Sequence, residues 1–130
     1  MRKLMIITTI AAGCVLGGNA FADSRVDAVW NCKLNEGMKM EDVHAANGRW
    51  VSHVNEATDV GEITSGTSTA IVGQQGHFYF VDTYPSLAAW STVQEYVDSD
   101  AGKAAMAEIT SQFDDAFDCS GNELFKHTAN

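Results

Sequence analysis

The chain has 130 residues, 45% of them hydrophobic, and sets 17 Asp and Glu against eight Lys and Arg, for a formal net charge of −9. So acidic a chain lacks the Lys and Arg that neutralise phosphate, which argues against nucleic acid and anionic lipid as partners. No acidic block is long enough to read as a disordered tail.

The N-terminus reads as a targeting segment. Arg2 and Lys3 form a basic start, residues 4–18 are mostly apolar, and Ala20-Phe21-Ala22 is an A-x-A cleavage signal before Asp23. The apolar run is short and glycine-rich for a membrane span, which needs about 20 residues. A competing lipoprotein-type cleavage before Cys14 has the small residues Ala11-Ala12-Gly13 but not the usual leucine. The expected outcome is a signal peptide over residues 1–22, cleavage after Ala22, export to the periplasm or beyond, and one domain over residues 23–130. That mature chain keeps six basic against 17 acidic side chains, a net of −11, and two cysteines, Cys32 and Cys119. An even count in an oxidising compartment reads as a disulfide. Closing a loop of about 85 residues would stabilise by ~3–4 kcal/mol. A redox pair or a thiolate metal site would call for C-x-x-C spacing or a nearby His, and neither is present.

Residues 25–34 alternate, with Val26, Ala28, Trp30, Cys32 and Leu34 on one face and Asp27, Val29, Asn31 and Lys33 on the other, as in a half-buried strand. Asn35-Glu36-Gly37 turns the chain. Met40, Val43, Asn47, Trp50, Val51 and Val54 then recur at three- and four-residue steps, so a helix begins near Met38, with Glu41 and Asp42 at its positive end. Gly48 inside it suggests close packing. Residues 55–67 read as a loop, 68–73 (STAIVG) as a short strand and 73–76 (GQQG) as a hairpin turn. A strand over 77–83 follows, with Phe78 and Phe80 on one face and His77, Tyr79 and Val81 on the other. Pro85 suits the first position of a helix whose buried stripe is Leu87, Trp90, Val93 and Val97. Asp98-Ser99-Asp100 caps a second helical segment marked by Gly102 at its start and by Ala105, Ile109, Phe113 and Phe117 on its core face. Cys119-Ser-Gly-Asn breaks that helix, and 123–128 (ELFKHT) is the last strand.

The order βαββαβ with a central hairpin is the ferredoxin-like α+β pattern: a four-stranded antiparallel sheet with helices on one face. It sets the first and last strands side by side, which agrees with the Cys32–Cys119 bridge. The more apolar 26/28/30/32/34 set should face the helices. The open face then carries Val29, Tyr79, Val81 and Phe125, too apolar for a comfortable monomer, so a homodimer packed sheet on sheet is expected.

The segment FYFVDTYPSLAAWSTVQEYVDSDAGKAAM, residues 78–106, resembles the strand-to-helix segment of dimeric α/β-barrel proteins of the antibiotic-biosynthesis-monooxygenase-like group. Ser99, Gly102 and Lys103 stand at that group's polar S-x-x-G/H-K element. The resemblance implies a dimeric α/β barrel and a family that includes cofactor-independent oxygenases of aromatic substrates, haem-degrading enzymes and proteins without known activity. Its haem-degrading members use an Asn on the first strand, a Trp, and a His in the second helix. Asn31 is available on the first strand, Tyr84 stands where an aromatic is expected and Trp90 lies farther along, but Glu95-Tyr96 stands where the His would be, so no haem and no other cofactor is expected.

The function expected from these residues is a non-catalytic exported module that binds a small apolar or aromatic ligand, or a partner. The ligand would lie between helix and sheet, with Trp30, Trp50 and Trp90 as walls and Asn31, His44, Asn47 and Tyr79 as polar contacts. The bland alternative makes Asn47 a satisfied buried amide, His44 a stripe-edge residue and the tryptophans simply core. The catalytic alternative is a cofactor-independent monooxygenase or isomerase in which His44, Asn31 or Tyr79 polarises the substrate. It requires at least two of them to converge on one point. No metal site is expected. His44 and His53 fall on different sides of one helix, His77 and His127 sit at strand ends, and Asp114, Asp115 and Asp118 lack calcium-loop spacing.

Overall fold

A computed structural model of the chain describes residues 24–73, 75–111 and 116–127. The signal-peptide reading, Cys14, Phe113, Asp114, Asp115 and Thr128 lie outside them. The element order is β1 (Val26–Leu34), α1 (Met40–Ala57), β2 (Thr64–Thr69), β3 (His77–Tyr84), α2 (Leu87–Asp98), α3 (Asp100–Thr110) and β4 (Phe117–Lys126). The strands form one antiparallel sheet in the order β2-β3-β1-β4, the ferredoxin-like arrangement.

Alternation places the faces as expected. Val26, Ala28 and Cys32 of β1 are buried, as are Phe78, Phe80, Asp82 and Tyr84 of β3, all on the side covered by helices. One part of the core gathers Ala28, Val54, Ile63, Tyr84, Ala89 and Val93, with Trp50 and Trp90 packed against it. The other gathers Cys32, Val43, Phe78 and Phe80, with Trp30, Leu34 and Phe117 at its margin. Phe78 stands edge-on to Phe80 and Phe117, with ring centroids 5.1 and 5.8 Å away. On the other side of the sheet Tyr79 and Phe125 are 44% and 48% exposed, and Val29 pairs with Val81 between them.

The second strand is not where the apolar residues suggested. Thr64–Thr69 pairs with β3, whereas Ile71 and Val72 of the expected strand are 94% and 90% exposed in the connecting loop. The cause lies upstream. The Asn55 side chain at the end of α1 accepts from the Ile63 N–H at 2.9 Å and donates to the Ile63 carbonyl at 2.8 Å. That clamp buries Ile63 and starts the strand at the next residue, so polar Ser65 and Thr67 take the covered face. The last strand is likewise longer and earlier than expected. Cys119-Ser-Gly-Asn does not break a helix but lies within β4, and Phe117, expected on a helix face, is the first β4 residue. Cys119 stands directly opposite Cys32, with a register shift between Asn31 and Cys32, and the two form the disulfide at a Cα separation of 4.0 Å.

Helix boundaries differ in smaller ways. Helix α1 starts at Met40, where the Lys39 N–H donates to the Asp42 carboxylate at 3.1 Å. Pro85 precedes the first position of α2. Ser86 is the cap, its hydroxyl accepting from the Ala89 N–H at 3.1 Å, and Leu87 is 53% exposed rather than buried. Between α2 and α3, the Ser99 hydroxyl accepts from the Gly102 N–H at 3.0 Å and donates to the Tyr96 carbonyl at 2.6 Å. A Cβ on Gly102 would collide with that same carbonyl. Gly102→Ala should therefore destabilise by about 1–3 kcal/mol, through forced separation of the two helices. An unchanged denaturation midpoint would contradict this. Gly48 behaves in the opposite way. It is exposed in the middle of α1 with open space where a Cβ would go, so it serves no close packing. Gly48→Ala should stabilise the protein by roughly 0.5–1 kcal/mol, read as a raised midpoint in urea at constant slope.

Candidate functional site

Between the covered face of the sheet and the three helices lies a cavity of about 380 Å³. The sheet contributes Trp30, Phe80, Asp82, Tyr84, Phe117 and Cys119; α1 contributes Ala46, Asn47 and Trp50; α2 contributes Gln94 and Val97; and α3 contributes Met106, Ile109 and Thr110. Most of its wall is apolar, and its polar members are Asn47, Asp82, Tyr84, Gln94 and Thr110.

Asp82 reaches this face because β3 alternates: Phe78, Phe80, Asp82 and Tyr84 share a side. It sits opposite Ala28 on β1 and Ser65 on β2. The Trp30 indole N–H donates to Asp82 Oδ2 at 3.1 Å. The Ser65 hydroxyl donates to Asp82 Oδ1 and receives the Asn47 amide N–H at 3.0 Å. A relay Asn47–Ser65–Asp82–Trp30 thus joins α1, β2, β3 and β1 across one end of the cavity. Asp82 is only 5% exposed. Burial pushes its carboxyl from 3.8 up to about 6, against the opposing pull of the Ser65 and Trp30 hydrogen bonds. The Tyr84 phenol is also pushed upward, first by burial and then by the charge of Asp82, so it stays protonated as a donor.

The residues expected to form the site divide into four groups. Trp30, Asn47 and Trp50 do line the cavity. Trp90 does not; it packs on the core beside Ala89 and Val93. His44 is exposed on α1, with its Nε2 2.9 Å from the Thr67 hydroxyl. Asn31 and Tyr79 are cross-strand partners on the open face of the sheet, away from the cavity. The convergence that the catalytic reading asked of His44, Asn31 and Tyr79 is therefore not met, because the sheet separates His44 from the other two.

The remaining histidines are placed elsewhere. His53 Nε2 lies 2.8 Å from the Tyr96 hydroxyl. His77 pairs with Lys33 at one end of β1, while His127 lies at the other end, its Nδ1 3.6 Å from the Asp27 carboxylate. Asp118 is an exposed β4 residue opposite Lys33. Among the described residues no cluster of three His, Cys, Asp or Glu side chains could hold a metal ion, and no helix is long and apolar enough to cross a membrane.

Asp82 and Ser65 were missed from the sequence, and Tyr84 was named only as the aromatic that the family resemblance implies. A signal for Asp82 was there: extending the Phe78–Phe80 alternation by one step puts a carboxylate on the buried face of an aromatic strand. Ser65 carried none, since its strand was not recognised.

No family model and no curated relative matches the chain. Solved structures do. A conserved Bacteroides thetaiotaomicron protein of unknown function, named as a candidate oxidoreductase, is 12% identical with a TM-score of 0.52, covering 82% of this chain and 100% of its own. A dimeric ferredoxin-like protein of unknown function from Thermobifida fusca is 12% identical with a TM-score of 0.47, over 84% and 94%. A candidate antibiotic biosynthesis monooxygenase from Caulobacter crescentus is 13% identical with a TM-score of 0.47, over 84% and 94%. At such identities the likeness is one of fold alone.

Proposed function

We propose that this chain is an exported homodimeric protein that binds a small, largely apolar or aromatic molecule in the cavity between sheet and helices, without transforming it. The observation that carries the reading is the cavity itself: about 380 Å³, within the usual range for small-ligand sites, with aromatic walls and one hydrogen-bonded polar end. Trp30, Asn47 and Trp50 remain in the binding set, and Asp82 and Tyr84 join it. Titration with one- and two-ring aromatic molecules, neutral and cationic, should change the fluorescence of Trp30 and Trp50 and raise the melting temperature. If no such molecule changes either signal at millimolar concentration, the reading fails.

A second reading, a cofactor-independent monooxygenase or isomerase, draws on Asp82 rather than on His44, Asn31 and Tyr79. A carboxylate whose pKa is pushed up to about 6 inside an apolar cavity is a serviceable general base near neutrality. Turnover of a bound molecule, lost in Asp82→Asn with binding retained, would favour this reading over simple binding.

The homodimer reading draws on the apolar strip of Val29, Val81, Tyr79 and Phe125 on the open sheet face. Val81→Asp should shift sedimentation from dimer to monomer without unfolding the chain; an unchanged dimer would place the interface elsewhere. Export draws on the first 22 residues and the disulfide. An intact mass beginning at Asp23 would match it.

A further inference from the structure

Among the described residues that line the cavity, Asp82 is the one charged side chain, and none is Lys, Arg or His. Each of its oxygens takes one protein donor, Oδ1 from Ser65 and Oδ2 from Trp30. A carboxylate oxygen accepts two, so each keeps a lone pair for a further donor. The same cavity is lined by the rings of Trp30, Trp50, Phe80, Tyr84 and Phe117, Phe80 and Phe117 packed edge to face at 5.2 Å. The indole hydrogen bond to Asp82 fixes the Trp30 ring in this wall.

We propose that the cavity selects a small organic cation: a protonated primary or secondary amine whose ammonium meets Asp82 and whose apolar body, of one or two rings, lies among the aromatic side chains. This rests on the ligand-binding reading above and names its ligand class. A neutral apolar ligand would expel water from an ionised carboxylate and give it no new partner, and an anion would be repelled. An ammonium supplies both the missing donors and the missing charge, in a largely apolar setting where aromatic faces also attract cations. The acidic surface, net −9, raises the local concentration of cations further.

The test uses the full disulfide-bonded protein, 2-phenylethylamine and its neutral counterpart 2-phenylethanol, with affinities from calorimetry and tryptophan fluorescence. At pH 7.5 the amine should bind roughly 30-fold or more tightly than the alcohol, the scale of a buried charge pair. Asp82→Asn should remove that preference. In the native protein the preference should also fall about tenfold per pH unit below about 6, as the carboxyl takes up its proton. The other groups around it do not titrate there: Trp30 on β1, Ser65 on β2, Asn47 on α1, Gln94 on α2 and Thr110 on α3 are neutral, and the Tyr84 phenol is shifted upward. If the alcohol binds as tightly as the amine, or the preference is independent of pH, the cation inference is overturned while a ligand cavity remains. If neither compound binds, both readings fall. Should Asp82→Asn not fold, the pH series on the native protein decides.

Discussion

Reducing the Cys32–Cys119 bond should lower the melting temperature by roughly 15–30 °C, the expected consequence of losing about 4 kcal/mol in a domain of this size. The two cysteines are 87 positions apart, so the bond closes most of the domain into one loop and removes much of the freedom of the unfolded chain. The folded state supplies a second reason. Strand β4 is an edge strand, paired with β1 alone, and residues 118–126 of it are exposed. Its register against β1 shifts between Asn31 and Cys32, where the bond is anchored. Reduction should therefore release β4 first: amide exchange over Phe117–Lys126 rises while the centres of α1 and β3 stay protected. The Cys32→Ala/Cys119→Ala double variant should reproduce the shift without reductant. A melting temperature unchanged within a few degrees, with two free thiols confirmed by alkylation and mass, would contradict the stabilising role.

Where the sequence reading succeeded, side-chain periodicity and backbone requirement agreed. Strand β1 alternates cleanly, and its 26/28/30/32/34 face is the covered one because those residues are the more apolar set. Helix α1 carries its stripe at helical spacing, and Val43 and Val54 are fully buried as a result. Strand β2 resisted for a physical reason. Its six residues, TSGTST, have no apolar side chain to bury, and the strand exists because β3 offers a ladder and Asn55 fixes its starting point. Ile71 and Val72 looked more strand-like and are the most exposed large apolar residues described. Strand β4 resisted for a related reason: Ser120-Gly121-Asn122 has turn chemistry, but the neighbouring β1 edge and the disulfide draw it into the sheet. The candidate site was legible only in two tryptophans and one amide. Trp30, Asn47 and Trp50 belong to periodic elements whose buried faces could be assigned. The polar end depends on which β2 residue faces Asp82, a question of register that no local pattern answers.

Asp82→Asn should flatten part of the pH dependence of stability, with the sign opposite to that of a salt-bridged acid. The carboxyl is pushed up to about 6 in the folded state from 3.8, by burial, despite donors from Ser65 and Trp30. Between those values the folded chain holds a proton that the unfolded chain has lost, so this group's contribution to stability falls as pH rises from about 4 to about 6 and is constant above. The full effect of a shift of about two units is ~3 kcal/mol. Asn keeps the size and one acceptor. With its oxygen toward Trp30, its amide can donate to the Ser65 hydroxyl, which can turn its own hydrogen to Asn47 Oδ1, 3.1 Å away. The variant should therefore gain on the native protein by about 2–3 kcal/mol between pH 4 and pH 7, read as the difference between two urea denaturation series, in which the other carboxylates cancel. Parallel profiles would mean that Asp82 ionises without strain in the fold, and would remove the reason for a cation to be drawn to it. A widening gap would show that the fold tolerates this charge at a cost, and that an ammonium bound beside it would offset the same cost in the native protein.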